Sequence, residues 1–179
     1  TVVVPRLEQL QKEGEAGFFF TDDNFARNPM WEEVLDGLIA LRVQGHRISF
    51  MVEADLLCHK IPHFLEKLAA AGCAQIFMGV ESGNPENRVD AGKKQNKVET
   101  YAAFWELCHA HGILVHAAYI IGFPKDTPAS VTRDVATLVD LGADQVSFFM
   151  LTLLPGSEDH ARAVAAGGCG GLFVPFLAI

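Results

Sequence analysis

The sequence predicts an α/β fold in which parallel strands alternate with helices. Short apolar runs begin at positions 17, 47, 74, 114 and 145, and longer amphipathic runs separate them. A spacing of about 30 residues is typical of strand–helix–strand units, which place consecutive strands in parallel through right-handed crossovers. A closed eight-stranded barrel needs about 250 residues. The 179 residues therefore predict a partial barrel or a doubly wound layer.

The predicted strands are almost continuous in apolar residues, a pattern typical of parallel strands that are buried on both faces. They are Gly17–Thr21, Arg47–Glu53, Ala74–Glu81, Leu114–Gly122 and Gln145–Leu153. A further helix is expected at the start of the chain, where Leu7 and Leu10 precede Gly14.

The helices that connect these strands are predicted from amphipathic runs and their end signals. They are Met30–Val43, Pro62–Ala71, Val98–His111 and Ala129–Leu141. Pro62 stands where a helix accepts proline, at its first position. Several of these helices are expected to end at a glycine, because glycine adopts the left-handed backbone that closes a helix. The candidates are Gly45, Gly72, Gly112 and Gly142.

Two segments do not fit the repeat. Gly83–Asn96 is a polar insert that a plain crossover does not need, and the tail from Ala165 to Ile179 has neither helical nor strand period. We expect one domain over residues 1–165 and an unassigned apolar tail over 166–179. The chain opens within a helix that no strand precedes, so we also expect the front of the fold to be missing.

The composition excludes several classes of protein. Half of the residues are hydrophobic, which excludes a disordered chain. The formal net charge of −8 gives no broad attraction for phosphates, so no nucleic-acid partner is expected. No apolar run approaches the ~20 residues that a helix needs to cross a bilayer. The four cysteines lack the spacing of a zinc site, and we expect reduced thiols in a cytoplasmic protein.

Acidic and amide side chains follow three of the five predicted strands. Asp22, Asp23 and Asn24 follow the first, Asp55 the second, and Glu81 ends the third. Ligands of parallel α/β folds bind beyond the carboxyl ends of the strands, which makes these side chains candidates for a site.

A plainer interpretation of the strand ends is helix capping. Asp22, Asp55 and Ser82 are residues that cap helices well. Capping explains Glu81 poorly, because Glu81 lies at the edge of an apolar strand, where desolvating a carboxylate is costly.

Other motifs are absent or weak. The sequence has no G-x-S-x-G elbow, no phosphate-binding G-x4-G-K-[ST] loop and no H-E-x-x-H helix. His59 and His63 are four residues apart, but Pro62 starts a new helix between them, so they need not share a face. The basic run Lys93, Lys94 and Lys97 ordinarily indicates a solvated surface.

Four runs, in order along the chain, carry a resemblance to a known family. They are FFFTDDNFARNP from position 18, IFMGVESGNPEN from position 76, AYIIGFPKDTPAS from position 118 and FFMLTLLPGSE from position 148. Together they resemble the radical S-adenosylmethionine superfamily, in its cobalamin-domain-associated branch, over roughly residues 5–165.

The resemblance implies a partial (β/α)6 TIM-like barrel whose first strand is missing here. It also implies two cofactors, S-adenosylmethionine and a [4Fe-4S] cluster, with cobalamin on a missing domain as a third. In this family reductive cleavage of S-adenosylmethionine yields a 5′-deoxyadenosyl radical. The expected partners are a small-molecule, lipid or macrocyclic substrate and a reductant such as flavodoxin or ferredoxin.

The resemblance also assigns cofactor-binding residues. Asp22, Asp23 and Asn24 match the motif that contacts the amino group of S-adenosylmethionine, and oxygen acceptors suit an ammonium. Glu81 and Ser82 match the motif that binds the ribose hydroxyls, where a carboxylate accepts two hydrogen bonds.

Two further assignments complete this set. Lys94 stands where related sequences place a cation for the methionyl carboxylate. The backbone of Ile120, Ile121 and Gly122 matches the strand that faces the adenine, with glycine allowing close approach.

The sequence departs from the family pattern at two places. In the family's G-x-I-x-G-x-x-E motif, Ala118 replaces the first glycine and Lys125 the glutamate, with Asp126 adjacent. The C-x3-C-x2-C loop that holds the cluster is absent, so no metal ligand is assigned. We expect this loop upstream of Thr1, and the chain alone to be inactive.

Two alternatives stay open at this point. Asp22, Glu53 and Glu81 are also a possible ligand or acid–base set for a metal-dependent hydrolase or isomerase on an α/β barrel. A degenerate barrel without catalytic activity is the other alternative.

Overall fold

The computed structural model describes residues 2–15, 17–81, 98–123 and 125–165. Its five strands are β1 Gly17–Phe20, β2 Ser49–Glu53, β3 Cys73–Glu81, β4 Leu114–Ile121 and β5 Gln145–Met150. Its helices are α1 Val3–Lys12, α2 Trp31–Val43, α3 Phe64–Ala71, α4 Val98–Ala110, α5 Pro128–Asp140 and α6 Glu158–Ala165. Short 3-10 turns span Phe25–Arg27 and Leu56–Lys60.

The chain divides into two compact units, Thr1–Phe149 and Met150–Ile179. In the first unit the strands form one sheet in the order β1-β2-β3-β4-β5, a curled half-barrel of parallel strands with helices between them. This confirms the predicted α/β partial barrel. In the second unit the described residues contain α6.

The hydrophobic core lies between one face of the sheet and the helices. Val52, Ile76 and Val115 are fully buried on that face, and alternate residues of a strand share a face. Helix α4 packs there through aromatic side chains: Tyr101 donates to the carbonyl of Val80 at 3.3 Å, and Trp105 donates to the sulfur of Met78 at 3.4 Å. Burial of this face against the helices is what holds the sheet in place.

The opposite, concave face of the half-barrel is partly open. Phe19, Leu114 and Phe149 are 48%, 49% and 46% exposed. The prediction that the strands are buried on both faces was therefore wrong at these positions. The physical reason is that the helices pack against one face only, whereas a closed barrel would fill its interior with side chains.

Element boundaries agree with the predictions to within a few residues. The helix predicted from Pro62 begins at Phe64, because the preceding His63 has a left-handed backbone with φ +59°. The four predicted helix-ending glycines all have positive φ, as expected. Helix α6 was not predicted from the sequence. The insert 83–96 and the tail 166–179 lie outside the described residues.

Gly72 provides a sharp test of the packing between α3 and the sheet. A Cβ at Gly72 would lie 2.3 Å from the carbonyl oxygen of Ile48, and its φ is +99°. Replacing Gly72 by alanine should lower the free energy of unfolding by about 3 kcal/mol, because strain and a backbone clash combine. Gly45→Ala is the matched control, since φ there is +96° with no atom within 4 Å. It should cost about 1 kcal/mol. Urea unfolding measures both, and equal losses would contradict the clash.

Candidate functional site

A cavity of about 310 Å³ lies at the carboxyl ends of the strands in the first unit. The loop after β1, the end of β2 and the inner faces of β3, β4 and β5 all contribute to it. Its lining residues are Asp23, Asn24, Glu53, Ala54, Asp55, Phe77, Gly79, Ala118, Ile120 and Phe149. This is the edge where a parallel sheet gathers its loops, as the sequence predicted.

The acidic side of the cavity consists of Asp23 and Glu53. Burial raises the pKa of the Glu53 carboxyl, and the charge of Asp23 raises it further. Within the part of the chain that the structure describes, neither carboxylate has a hydrogen-bond or ion-pair partner. Two unneutralised carboxylates give this side of the cavity a negative potential, which favours a cationic ligand.

Asp22 orders the loop that carries Asp23. One carboxylate oxygen of Asp22 accepts from the Asn24 backbone N–H at 3.1 Å, and the other accepts from the Asn28 amide at 2.6 Å. This is a local turn rather than the helix cap that Asp22 could also have formed. Phe25 and Ala26, both buried, anchor the same loop in the core.

Asp55 joins the loop after β1 to the end of β2. Its carboxylate accepts from the Leu57 backbone N–H at 2.8 Å, which caps the turn Leu56–Lys60 and confirms the capping interpretation for this residue. It also accepts from Asn24 and from the guanidinium of Arg27. Burial raises the pKa of Asp55, but the hydrogen bonds and charge of these partners outweigh burial and lower it.

The opposite side of the cavity is apolar. Phe77, Ala118, Ile120 and Phe149 supply it, and Gly79 adds no side chain. Such a wall suits a flat ring, because aromatic and aliphatic groups pack against its faces.

The turn after β4 closes next to this wall. Gly122, whose φ is +109°, donates its N–H to Asp126 at 2.8 Å, and Phe123 donates to the same oxygen at 3.0 Å. Asp126, which stands one position after the place of the glutamate in the family motif, therefore stabilises the turn that follows β4.

His116 lies two residues before Ala118, on the same face of β4. Its Nε2 is 2.7 Å from the hydroxyl of Ser147 on β5, and its ring meets Phe77 edge-on at 4.7 Å. Burial lowers the pKa of His116, so the imidazole is neutral at pH 7. This histidine was not predicted as a residue of the inner face, because it stands within an apolar run.

The predicted site residues divide into three groups. Asp23, Asn24 and Ile120 line the cavity, whereas Asp22, Ile121 and Gly122 are not among its lining residues. For Glu81 the backbone in β3 is described and its side chain is not, and Ser82 and Lys94 lie outside the described residues. The lining residues that were not assigned to the cofactor are Glu53, Ala54, Asp55, Phe77, Gly79, Ala118 and Phe149, although Asp55 was a candidate as an acid after a strand and Glu53 a possible metal ligand. The signal that could have found them is the period of two along each strand, which places them on one face.

Cys58, Cys73 and Cys108 are buried thiols, and none of them lines the cavity. Burial raises the pKa of Cys73 and Cys108 to about 12 and that of Cys58 further still. Thiolates bind metals, so these thiols are poor ligands. Within the described ranges no three His, Cys, Asp or Glu residues are grouped so as to hold a metal ion. No described helix is long and apolar enough to span a bilayer.

Comparison with known proteins identifies the class. The profile of the Radical SAM superfamily matches residues 2–138. A match over this much of the chain, on a half-barrel with its cavity at the carboxyl edge, shows that the chain belongs to the Radical SAM superfamily.

Named relatives within this superfamily are methyltransferases. Bacteriochlorophyllide d C-12(1)-methyltransferase of Chlorobaculum tepidum is 28% identical over 141 residues, which are 78% of this chain and 30% of that protein. Tryptophan 2-C-methyltransferase of Streptomyces laurentii is 29% identical over 167 residues, 87% of this chain and 28% of that protein. The chain thus spans less than a third of the length of these relatives.

A solved structure resembles the fold closely. The radical S-adenosylmethionine methyltransferase TsrM of Kitasatospora setae, with cobalamin and a [4Fe-4S] cluster bound, superposes with a TM-score of 0.72 at 25% identity. The alignment covers 86% of this chain and 29% of TsrM.

The raised pKa of Glu53 predicts a dependence of stability on pH. Its folded pKa lies above the unfolded value of about 4.3, so ionisation weakens the fold and stability falls as pH rises through the folded pKa. Glu53→Gln should therefore be more stable than the parent chain at pH 7, and the difference should disappear below about pH 4. Urea unfolding across this range measures it. Glu106→Gln, on the exposed side of α4, is the control, and an identical pH profile for both variants would refute the effect.

Proposed function

We propose that the cavity binds S-adenosylmethionine and that the whole protein is a radical S-adenosylmethionine enzyme. The observation that carries the proposal is the division of one cavity into an acidic side and an apolar side. S-adenosylmethionine has an ammonium and a carboxylate at its methionyl end, a sulfonium in the middle and a flat adenine at the other end, with a net positive charge. The acidic side of the cavity suits the ammonium and the sulfonium, and the apolar side suits the adenine.

In this proposal each part of the ligand has its own residues. Asp23, in the ordered segment Asp22–Asn24, accepts from the ammonium. Glu81 and Ser82 hold the ribose, and Lys94 pairs with the methionyl carboxylate. These assignments are supported by the motif resemblance and by the position of Asp23 in the cavity.

The adenine lies along the apolar side, against Ala118 and Ile120 and the backbone that continues through Ile121 to Gly122. The methyl group of Ala118 makes the cavity narrower at this side than the glycine of the family motif would. The side chain of Ile120 excludes water from the adenine ring. When bound, S-adenosylmethionine supplies one-electron chemistry through reductive cleavage of its sulfonium. The task of this chain is to orient the ligand and keep water from it.

The iron–sulfur cluster does not fit the described residues. The sequence lacks the C-x3-C-x2-C spacing, and the three described cysteines are buried away from the cavity. We propose that cluster ligands, and cobalamin where it takes part, belong to residues other than the described ones. We derive no step through either group.

The substrate class is proposed from the relatives. The named methyltransferases act on a bacteriochlorophyllide and on tryptophan. We propose methyl transfer to carbon of a small hydrophobic molecule, which includes lipids and macrocycles. Electrons would come from a reductant such as flavodoxin or ferredoxin, which places the reaction in the cytoplasm.

Binding of S-adenosylmethionine tests the proposal without a cluster. The 179-residue chain should bind it in isothermal titration, and Glu81→Ala should weaken binding about tenfold by removing the ribose acceptor, a loss of about 1.4 kcal/mol. The melting temperature should change little. Glu106→Ala is the control and should bind as the parent chain does.

No binding by the parent chain would overturn the proposed function. Equal loss of stability and binding in Glu81→Ala would instead indicate a structural role for Glu81.

Reconstitution tests the assignment of the cluster. Because the described thiols are buried and their pKa values are raised, anaerobic addition of iron and sulfide to this chain should give no [4Fe-4S] signal by electron paramagnetic resonance after reduction. The variant in which Cys58, Cys73 and Cys108 are all serine should behave identically. A cluster signal that this variant loses would show that the chain carries its own ligands.

A further inference from the structure

Asp55 lies at the centre of a hydrogen-bond network beside the cavity. One of its carboxylate oxygens accepts from the Asn24 amide at 3.0 Å and from the Arg27 Nε and Nη2 atoms at 3.2 and 2.9 Å. The other accepts from the Leu57 N–H. The Asp55 backbone N–H in turn donates to the Asn24 side-chain oxygen at 3.4 Å. The loop after β1 and the segment after β2 are thus joined by hydrogen bonds that Asn24 both donates to and accepts from Asp55.

The network determines which acidic groups are available to a ligand. Asp55 lines the cavity, yet both of its oxygens are occupied and its charge is neutralised by Arg27. The Asp55 side chain is 18% exposed and the Arg27 side chain 58%, so the carboxylate is turned away from water while the guanidinium faces solvent. Asp23 and Glu53 remain as the unneutralised acids of the cavity among the described residues.

The network also determines the shape of the loop. The side-chain hydrogen bonds of Asp22 and Asn28 stay within residues 22–30. Among the described residues, the side-chain hydrogen bonds between this loop and the segment after β2 are those of Asn24 and Arg27 with Asp55. Without them the loop would keep its internal hydrogen bonds and its buried Phe25 and Ala26, but it would lose its polar connection to the segment after β2, and Asp23 would be held less firmly at the cavity.

We propose that Asp55 and Arg27 are positioning residues, which hold the loop 21–28 so that Asp23 accepts from the ammonium group of S-adenosylmethionine. The inference rests on the proposed function of the cavity. It assigns Asn24 a role through Asp55, and it predicts that Asp55 itself makes no bond to the ligand.

Asp55→Ser separates positioning from capping. Serine retains the oxygen that accepts from the Leu57 N–H, since it caps helices nearly as well as aspartate, but it is too short to reach Asn24 and Arg27. We expect affinity for S-adenosylmethionine to fall about tenfold in isothermal titration. In nitrogen–proton spectra the ligand-induced shifts of residues 21–28 should diminish while those of β3 and β4 persist.

Arg27→Gln is the second variant, because its side chain is 58% exposed and its loss should leave the fold intact. It should weaken binding severalfold, and the double variant should bind no worse than Asp55→Ser alone, since the two residues act as one unit. Fully additive losses would overturn the shared role.

Asp144→Ser is the matched control. Asp144 also accepts two hydrogen bonds, from the Val115 N–H and from His109, both at 2.7 Å. None of these three residues lines the cavity. This variant should lose stability and keep its affinity. If the parent chain binds and Asp55→Ser binds equally well, the positioning role is wrong although the proposed function stands. If the parent chain does not bind, both fail.

Discussion

The parallel direction of the strands is the constraint on which the site depends. Every strand of the sheet ends at the same edge, so loops that are far apart in sequence converge there. Asp23 follows β1, Glu53 ends β2 and Ile120 lies near the end of β4, and all three line one cavity. The helices bury the other face of the sheet and supply the hydrophobic stabilisation. The concave face is thereby left for a ligand.

Electrostatic balance then determines what kind of ligand the cavity favours. Arg27 neutralises Asp55, whereas Asp23 and Glu53 have no such partner among the described residues. Holding two carboxylates near each other in a half-buried site costs free energy, which appears as the raised pKa of Glu53. A cation bound between them would recover part of that cost.

Much of the fold was predictable because the signals are local. The period of apolar residues marked the strands, and glycine marked the helix ends, to within a few residues. The start of α3 was placed too early, since the left-handed backbone of His63 has no clear sequence signal. Phe77, Phe149 and His116 were not recognised as site or inner-face residues, because an apolar run does not say which of its residues face the helices.

The amino-acid sequence by itself determined the alternation of strands and helices, the parallel sheet and the edge at which polar residues gather. These follow from local periodicity and from the handedness of the crossover, which any chain of L-residues obeys. Only the tertiary structure decided that Asn24 and Arg27 occupy the carboxylate of Asp55, whereas the carboxylates of Asp23 and Glu53 have no such partner among the described residues. Those bonds join residues 28 and 31 positions apart, so they depend on strand register and loop packing, which no local pattern encodes.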